Sequence, residues 1–466
     1  MQPFHLVAAM LCAVAALVPA QAEGPAKAED FRLTDAAGKS FALHRYADSA
    51  AVVLVTFGVD CPKVQELLPT LKSTIADYSA KNVAFLGLDP CSADTREKVA
   101  EALKAAGLEL PVLMDEAQAV TRRLASTRYA EAIVIDPHAD WKIVYRGDAA
   151  KLKEALDAQL AGQPLPAPAP SVGCAITFDL APATATYTDV APILQAKCAG
   201  CHHEGGVAPF TMANAKKVQG IADTIREVLL QKRMPPWHAD PHFGSFSNDR
   251  ALTPKEQATL LAWIDGGAQV DPAALDPLAL AQYHDAEWSL GTPDAVVQLP
   301  EPESLPAEGV IAYRYRYVPS GFTEDKWVRG LEVKAGNQRV VHHALIFVIY
   351  PKEYRHLQPN SRSGLGGYFA SYLPGAAIEP FPEGSAQWVP TGSTFVFQMH
   401  YTVDGKPETD QTKMALYFAK EPPAEEFRIE AAADTDFHIP PNAMDSGTTA
   451  EYRFDCNPNL AAGGGT

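Results

Sequence analysis

The stretch Ala51-Val52-Val53-Leu54-Val55-Thr56-Phe57 is a continuous apolar run, and residues 83–88 (Val-Ala-Phe-Leu-Gly-Leu) form a second one. Continuous apolar runs are expected of strands that are buried on both faces of a sheet. Helix-like stretches follow each run, and further short strands are predicted near residues 111–114, 133–136 and 143–145. This alternation of strands and helices predicts an α/β domain over residues 29–160.

The composition of the whole chain indicates a folded, multidomain protein. The chain has 466 residues, of which 47% are hydrophobic and 20% charged, and a length of roughly 150 residues per domain predicts about three domains. This balance excludes disordered and fibrous proteins. The formal net charge is −17. Nucleic acid is therefore not an expected partner, because its phosphates require clustered Lys and Arg.

The N-terminus carries an export pattern. An apolar run over residues 6–18 is followed by Ala20-Gln21-Ala22, which predicts a signal peptide over residues 1–22, although no Lys or Arg precedes the run. The run is too short for a permanent anchor, and no later segment is apolar enough to cross a membrane. We therefore expect a periplasmic or secreted chain without an integral membrane segment, in a compartment where cysteines can pair.

Two proline-rich joints divide the rest of the chain. Residues 163–170 (Gln-Pro-Leu-Pro-Ala-Pro-Ala-Pro) predict an extended linker. Helical periodicity follows, and a capping box at Thr253-Pro254-Lys255-Glu256 opens one helix. Alternating apolar residues later predict strands. The predicted regions are a linker at 161–185, an all-α domain at 186–272, a linker at 273–306, an all-β sandwich of jelly-roll type at 307–456 and a Gly-rich tail at 457–466.

The all-α region contains Cys198-Ala199-Gly200-Cys201-His202, which has the C-x-x-C-H spacing of a haem c attachment site. The two thiols bond to the haem, and the adjacent imidazole binds the iron. The alternatives are a zinc half-site or a thiol redox pair, but no second C-x-x-C completes a zinc site. The motif predicts covalent haem c.

The second axial ligand of the iron is predicted to be Met234, because Pro235 ends the preceding helix and presents the thioether from a stiff loop. The competing candidates are Met212, His203, His238 and His242. On these residues, the segment 187–270 resembles a small class I cytochrome c. The resemblance implies an electron-transfer haem with His202 and Met234 as iron ligands.

Cys61-Pro62 lies between the first buried strand and the next helix, where the helix N-terminus stabilises a thiolate. On this placement, residues 29–160 resemble the thioredoxin-like redoxins, which makes Cys61 the candidate catalytic residue. Two parts of that family's pattern are missing. Val64 replaces the second cysteine of C-x-x-C, and Ala130 stands where the family has a cis-proline or an arginine. The resemblance therefore implies weak or no disulfide reductase activity.

Four cysteines remain without a predicted role: Cys61, Cys91, Cys174 and Cys456. They allow three sets of pairs, and the sequence does not choose among them. Cys91 follows the second buried strand, so it is a candidate partner of Cys61 at the same sheet edge. A structural disulfide or an inert thiol is the alternative.

Two adjacent histidines, His342 and His343, lie within the apolar stretch Val340-Val341-His342-His343-Ala344-Leu345, and His400 lies on another predicted strand. Neighbours on a regular strand point to opposite faces, so His342 and His343 can share a metal only at a bulge or a strand end. The alternative is one buried, hydrogen-bonded histidine and one exposed histidine.

The segments 339–348 and 395–403, with Tyr372-Leu373-Pro374-Gly375 between them, resemble the first half of the type II copper, ascorbate-dependent monooxygenases. That is the family of peptidylglycine hydroxylating monooxygenase and dopamine hydroxylase. The resemblance implies that His342, His343 and His400 bind the electron-supplying copper, and three imidazoles suit this metal. The family's second copper domain is missing, since His438 is the only later histidine. Either the sequence is truncated, a partner supplies that site, or the copper serves only electron transfer.

These patterns together predict a periplasmic oxidoreductase related to the copper monooxygenases, in which haem c replaces ascorbate and feeds electrons to copper. The expected partner is an electron-transfer protein or a small-molecule reductant. The alternatives are an electron-carrier or binding protein without monooxygenase activity, and a thiol oxidoreductase centred on Cys61. No Gly-rich phosphate loop or Gly-x-Ser-x-Gly elbow supports another enzyme class.

Overall fold

The computed structural model describes residues 24–451, except for residues 183, 205, 272–275, 281–287, 359–365, 377–379, 430, 431, 433, 435, 442, 444 and 445. The predicted signal peptide, Cys456 and the Gly-rich tail lie outside the described residues. The chain divides into two compact units. Unit 1 comprises Met1–Glu29 and Tyr46–Thr177, and unit 2 comprises Asp30–Arg45 and Phe178–Thr466.

The first strands form a short antiparallel hairpin, β1 (Arg32–Asp35) and β2 (Ser40–Ala42), in which Leu33 faces Phe41. Unit 1 then follows a regular alternation of strands and helices. Its elements are β3 (Ala51–Thr56), α1 (Pro62–Tyr78), β4 (Val83–Asp89), α2 (Arg96–Ala106), β5 (Val112–Met114), α3 (Ala119–Arg123), β6 (Glu131–Asp136), β7 (Lys142–Asp148) and α4 (Leu152–Leu160).

The strands of unit 1 lie in the order β5-β4-β3-β6-β7. The pairs β5/β4 and β4/β3 are parallel, whereas β3/β6 and β6/β7 are antiparallel. Every residue of β3 is buried, as the continuous apolar run predicted. The predicted α/β domain is confirmed, and β3 and β4 coincide with the two apolar runs from which it was inferred.

Unit 2 begins with a helical region. Its helices are α5 (Tyr187–Leu194), α6 (Ala215–Gly220), α7 (Ala222–Leu230), α8 (Pro254–Asp265) and α9 (Pro277–Leu280). The predicted capping box at the start of α8 is present. The Glu256 N–H donates to the Thr253 hydroxyl, and the Glu256 carboxylate accepts from the Thr253 N–H. The fully buried Trp263 of α8 contacts the Tyr187 ring at a centroid distance of 6.0 Å.

The remainder of unit 2 is rich in β-structure. Its strands are β8 (Ala295–Gln298), β9 (Glu303–Leu305), β10 (Arg314–Pro319), β11 (Lys326–Lys334), β12 (Val341–Ile349), β13 (Tyr368–Tyr372), β14 (Ser385–Val389), β15 (Thr394–Tyr401), β16 (Glu408–Asp410), β17 (Lys413–Phe418) and β18 (Glu425–Glu426). Within the described residues they form one sheet in the order β10-β15-β12-β13, a second in the order β18-β14-β11-β17-β8, and the pair β16-β9.

The two larger sheets share one hydrophobic core. Along β12, Ala344, Ile346 and Val348 are fully buried in this core, whereas the intervening Leu345 and Phe347 are half-buried on the other face. This period-2 pattern confirms the predicted β-rich region. The predicted all-α and all-β domains both fall in unit 2, and their separation at residues 273–306 stays a prediction.

Two further findings concern the segments between these regions. Part of the predicted linker at 161–185 is fixed to unit 1, because Cys174 forms a disulfide with Cys61. Over the part of the chain that the structure describes, no helix combines the length and the apolar character that a membrane span needs.

Candidate functional site

Three histidines meet in the four-stranded sheet of unit 2. Strands β12 and β15 are antiparallel, and His343 lies opposite His400. The register shifts between Val341 and His343, so His342 occupies a β-bulge. A bulge re-aims the side chain of its extra residue. Here one ring nitrogen from each of the three histidines lies within 4.8 Å of the others. The bulge is thus the feature that the sequence required for a metal shared by His342 and His343.

The contacts of the three rings orient them toward one another. The Nδ1 atoms of His342 and His343 are 2.9 Å apart. Nε2 of His343 lies 3.4 Å from the hydroxyl of Tyr313, and the Tyr313 ring stacks on His400 at a centroid distance of 4.7 Å. Nδ1 of His400 is buried without a hydrogen-bond partner among the described residues. A buried polar atom without a partner is costly, and a bound metal ion would satisfy it.

The electrostatic environment favours neutral imidazoles. Burial lowers the pKa of His343, and the neighbouring His400 and His342 lower it further. Burial, followed by the proximity of His342, also lowers the pKa of His400. A neutral imidazole keeps the lone pair that binds a metal. Three imidazole nitrogens, one of them on His400 without a hydrogen-bond partner among the described residues, fit a copper ion.

The C-x-x-C-H motif follows α5 and forms a tight turn. The N–H groups of Cys201 and His202 both donate to the carbonyl oxygen of Cys198, at 3.1 Å. The buried His202 donates from Nδ1 to the carbonyl oxygen of Phe210 at 3.1 Å. This hydrogen bond fixes the tautomer and leaves Nε2 as the nitrogen that could bind a metal. The pKa of His202 is lowered by burial, so the ring stays neutral.

The thiols of the motif carry no disulfide. Burial, and then the neighbouring Cys201, raise the pKa of the Cys198 thiol to about 12. Such a thiol is a poor nucleophile at neutral pH, which weighs against a thiol redox pair. Two unpaired thiols beside an imidazole with an available Nε2 are the donor set that covalent haem requires.

The two methionines proposed as axial ligands differ in exposure. Met234 follows α7 with its side chain 43% exposed, whereas Met212 is buried and its N–H donates to the carbonyl oxygen of His202 at 2.7 Å. Among the alternative histidines, His203 is hydrogen-bonded to the Ala199 carbonyl and His242 to the Asp240 carboxylate. The assignment of Met234 stays a prediction.

The loop that follows β13 approaches the C-x-x-C-H motif. A Cβ atom added to Gly375 would lie 3.7 Å from the Cys201 sulfur and 3.0 Å from the guanidinium of Arg250. Gly375 follows β13, and Tyr372 of β13 pairs with Ala344, the neighbour of His343 in β12. The loop after β13 thus lies near Cys201, and β13 pairs with the strand that carries His342 and His343.

Cys61 lies beyond the carboxyl end of β3, a strand that pairs with β4 on one side and β6 on the other. It is the N-cap of the 17-residue helix α1, is 4% exposed, and forms a disulfide with Cys174, 113 residues later. The suggested pairing of Cys61 with Cys91 is therefore wrong. Cys174 was missed because it follows a proline-rich stretch that predicted only a linker. The sequence indicated Cys174 only as one of the four cysteines without a predicted role.

Cys91 carries an unpaired thiol on the loop that follows β4. Its N–H donates to the carboxylate of Asp89, whose second oxygen has no hydrogen-bond partner among the described residues. Burial is the main cause that raises the pKa of Asp89 to about 8. The pKa of Tyr129 is raised by burial and then by its interaction with Cys91. Cys91 thus shares the edge near Cys61 without bonding to it.

Comparison with known proteins assigns one part of the chain to a protein family. Residues 25–145 match the AhpC/TSA family model, and the match does not extend to the haem motif or the histidine cluster. The comparison with curated proteins found no match.

Several solved structures are similar to part of the chain. A hypothetical protein from Sinorhizobium meliloti 1021 is 27% identical, with 34% of this chain and 95% of that chain covered and a TM-score of 0.32. A putative thiol:disulfide interchange protein DsbE from Chlorobium tepidum is 21% identical, with 30% of this chain and 96% of that chain covered and a TM-score of 0.27. A peroxidoxin from Mycobacterium tuberculosis is 19% identical, with 30% of this chain and 93% of that chain covered and a TM-score of 0.25. At these TM-scores the likenesses carry no argument about function. By the family match, residues 25–145 form a thioredoxin-like domain of the AhpC/TSA type.

Proposed function

We propose that this chain is an exported oxidoreductase with two kinds of redox chemistry. Unit 1 carries out thiol–disulfide exchange at Cys61, and unit 2 passes single electrons between haem c and copper. The AhpC/TSA match favours the thiol chemistry for residues 25–145. The arrangement of His342, His343 and His400 favours the copper chemistry.

The observation that supports thiol chemistry is the Cys61–Cys174 disulfide at the N-terminus of α1. The helix dipole at that end stabilises a Cys61 thiolate. A thiolate attacks a disulfide sulfur, and the second sulfur leaves as a thiolate. Cys174 serves as the second cysteine, in place of the one that Val64 replaces in the C-x-x-C pattern. This proposal replaces the expectation of weak or no reductase activity.

The test is reduction of insulin by the full-length protein with dithiothreitol as the electron source. We expect the wild-type protein to accelerate insulin reduction and Cys61→Ser to abolish the acceleration. Cys91→Ser is the matched control, because its thiol lies at the same edge outside the disulfide. Equal rates for wild-type protein and Cys61→Ser would overturn the thiol assignment.

The observation that supports copper is the histidine cluster at the β12 bulge. Copper, when bound, supplies a centre that accepts and donates one electron. His342, His343 and His400 would hold it through ring nitrogens, and Tyr313 would hold two of the rings in place. One-electron transfer is the role that we propose for this cluster of three histidines.

The haem assignment is supported by the donor set of the C-x-x-C-H turn. Haem c, when bound, supplies an iron that changes its charge by one electron. Cys198 and Cys201 would hold the macrocycle by covalent bonds. His202, oriented by the Phe210 carbonyl, would present Nε2 to the iron. The approach of the Gly375 loop to Cys201, together with the pairing of β13 and β12, supports electron transfer toward β12.

Rapid anaerobic mixing tests this coupling. The dithionite-reduced haem of the full-length protein is mixed with one equivalent of Cu(II), and the copper EPR signal is followed. We expect the signal to disappear as the haem absorption shifts to its oxidised form. His400→Ala should keep its haem spectrum and lose this reaction. An unchanged copper signal in the wild-type protein, with haem bound, would contradict the coupling.

A further inference from the structure

Residues 171–177, here called the strap, run antiparallel to residues 127–129 in unit 1. The Tyr129 N–H donates to the Cys174 carbonyl, and the Ile176 N–H donates to the Thr127 carbonyl, both at 2.9 Å. Arg128 and Ala175 pair between them as an antiparallel bridge. The strap therefore adds a short strand to an exposed backbone edge, which is the way extended peptides are bound by β-augmentation.

Side chains hold both ends of the strap. The Ser171 hydroxyl donates to the Tyr129 carbonyl at 2.9 Å, and the Arg128 guanidinium donates to the Gly173 carbonyl at 2.9 Å. The amide of the buried Gln118 donates to the Thr177 carbonyl at 2.8 Å. Most of these contacts use the strap's backbone, so they do not depend on its side chains.

Gly173 is required by a close approach. A Cβ atom at this position would lie 1.7 Å from the Tyr129 carbonyl oxygen, which is backbone and cannot move aside freely. Any side chain here would lift the strap from residues 127–129. The strap's fit therefore depends on one glycine, immediately before Cys174.

The strap also covers Cys61. It brings the Cys174 N–H to 3.2 Å from the Cys61 sulfur, and Cys61 is 4% exposed beneath it. A protein disulfide substrate would have to reach the sulfur that Cys174 now occupies and the backbone edge that the strap now fills. The strap and such a substrate therefore exclude each other.

We infer that the strap is a tethered substitute for substrate: it closes the Cys61 site in the disulfide state and leaves it upon reduction. The open edge at residues 127–129 then accepts an extended segment of a protein disulfide. This inference deepens the thiol chemistry proposed above and rests on it. A tethered segment competes strongly with a free peptide while the tether holds, so the disulfide works as the latch.

The redox steps balance with a dithiol as the reductant. The dithiol becomes a disulfide, the Cys61–Cys174 bond breaks, and both cysteines take up a proton. The Cys61 thiolate then attacks the substrate disulfide, which forms a mixed disulfide and releases one substrate thiol. The Cys174 thiolate attacks the Cys61 sulfur, releases the second substrate thiol and restores the Cys61–Cys174 bond. Two electrons pass from the dithiol to the substrate.

Amide hydrogen exchange of the full-length protein tests the release without any substitution. We expect the N–H groups of Tyr129 and Ile176 to exchange at least about tenfold faster after reduction, while the buried strand β3 keeps its protection. Equal protection of Tyr129 and Ile176 in both redox states would overturn the inference. If the reduced protein also failed to reduce insulin faster than Cys61→Ser, the thiol function itself would fail.

Trapping of a substrate provides a second test. In Cys174→Ser, the mixed disulfide between Cys61 and the insulin B chain should persist, because the resolving thiol is gone. Adding Gly173→Ala should leave the rate of trapping unchanged, because Cys174→Ser already lacks the disulfide that holds the strap in place. Trapping about tenfold faster in the double variant would mean that the strap stays on residues 127–129 without the disulfide and would overturn the latch, and release of the B chain by Cys174→Ser as fast as by the wild-type protein would contradict the resolving role.

Discussion

Tyr313 offers a sharp test of the histidine cluster, because one side chain contacts two of the three rings. Its hydroxyl lies 3.4 Å from Nε2 of His343, and its ring stacks on His400 with an interplanar angle of 21°. Tyr313→Phe removes the first contact and keeps the second. Tyr313→Leu removes both. The two substitutions therefore separate the hydrogen bond from the stacking.

The size of each effect follows from the geometry. Loss of an outer partner of a metal ligand costs roughly 10-fold to 100-fold in metal affinity. The Tyr313–His343 distance is longer than a strong hydrogen bond, so we expect Tyr313→Phe to weaken copper binding by about 10-fold, or about 1.4 kcal/mol. Tyr313→Leu, which also frees the His400 ring, should approach about 100-fold.

The assay is a competition titration of the full-length protein with a chelator of known copper affinity. Tyr315→Phe is the matched control. Tyr315 follows two residues later, within β10, and its hydroxyl accepts a hydrogen bond from the Gln398 amide at 2.9 Å. Equal affinities for Tyr313→Leu and Tyr315→Phe would refute the reasoning.

Three further outcomes are expected. Burial raises the folded-state pKa of Asp89 to about 8. The folded state therefore binds more protons than the unfolded state between pH ~4 and ~8, and stability falls as pH rises through this window. Asp89→Asn should flatten that part of a plot of thermal midpoint against pH. The buried Glu303 pairs with two arginines of β10. Glu303→Ala should lower the free energy of unfolding, measured in urea, by about 2–3 kcal/mol, because the arginines are left without their partner but remain partly hydrated. A change within the error of the urea titration would contradict this. Gly375→Ala should slow electron transfer from haem to copper without changing metal content, because its Cβ would crowd Arg250 beside Cys201; stopped-flow absorption measures this rate, and an unchanged rate would count against the contact.

The parts of the fold that the sequence predicted are those with a local signal. The run over β3 is apolar from Ala51 to Val55 without alternating polar positions, so burial on both faces was the consistent interpretation. The capping box at Thr253 and Glu256 is equally local, since both partners lie within one turn. Such features depend on neighbours in the sequence.

The sites depend on contacts between residues that are far apart in the sequence, and the sequence shows only which contacts each site would need. The adjacent His342 and His343 required a bulge to meet at one metal, but whether the bulge forms depends on the register of β12 against β15. The pairing of Cys61 depends on where the chain returns 113 residues later, and neither spacing nor composition carries that information. Proximity in sequence favoured Cys91, whereas the path of the strap places Cys174 against Cys61.

The most direct measurement of the central claim is a count of iron and copper in the full-length exported protein, combined with EPR. We expect one covalently bound haem iron and one copper per chain after dialysis, with the copper signal lost in His400→Ala and the haem bands lost in a Cys198→Ala, Cys201→Ala double variant. A purified protein without c-type haem bands, or copper that His400→Ala retains unchanged, would contradict the account.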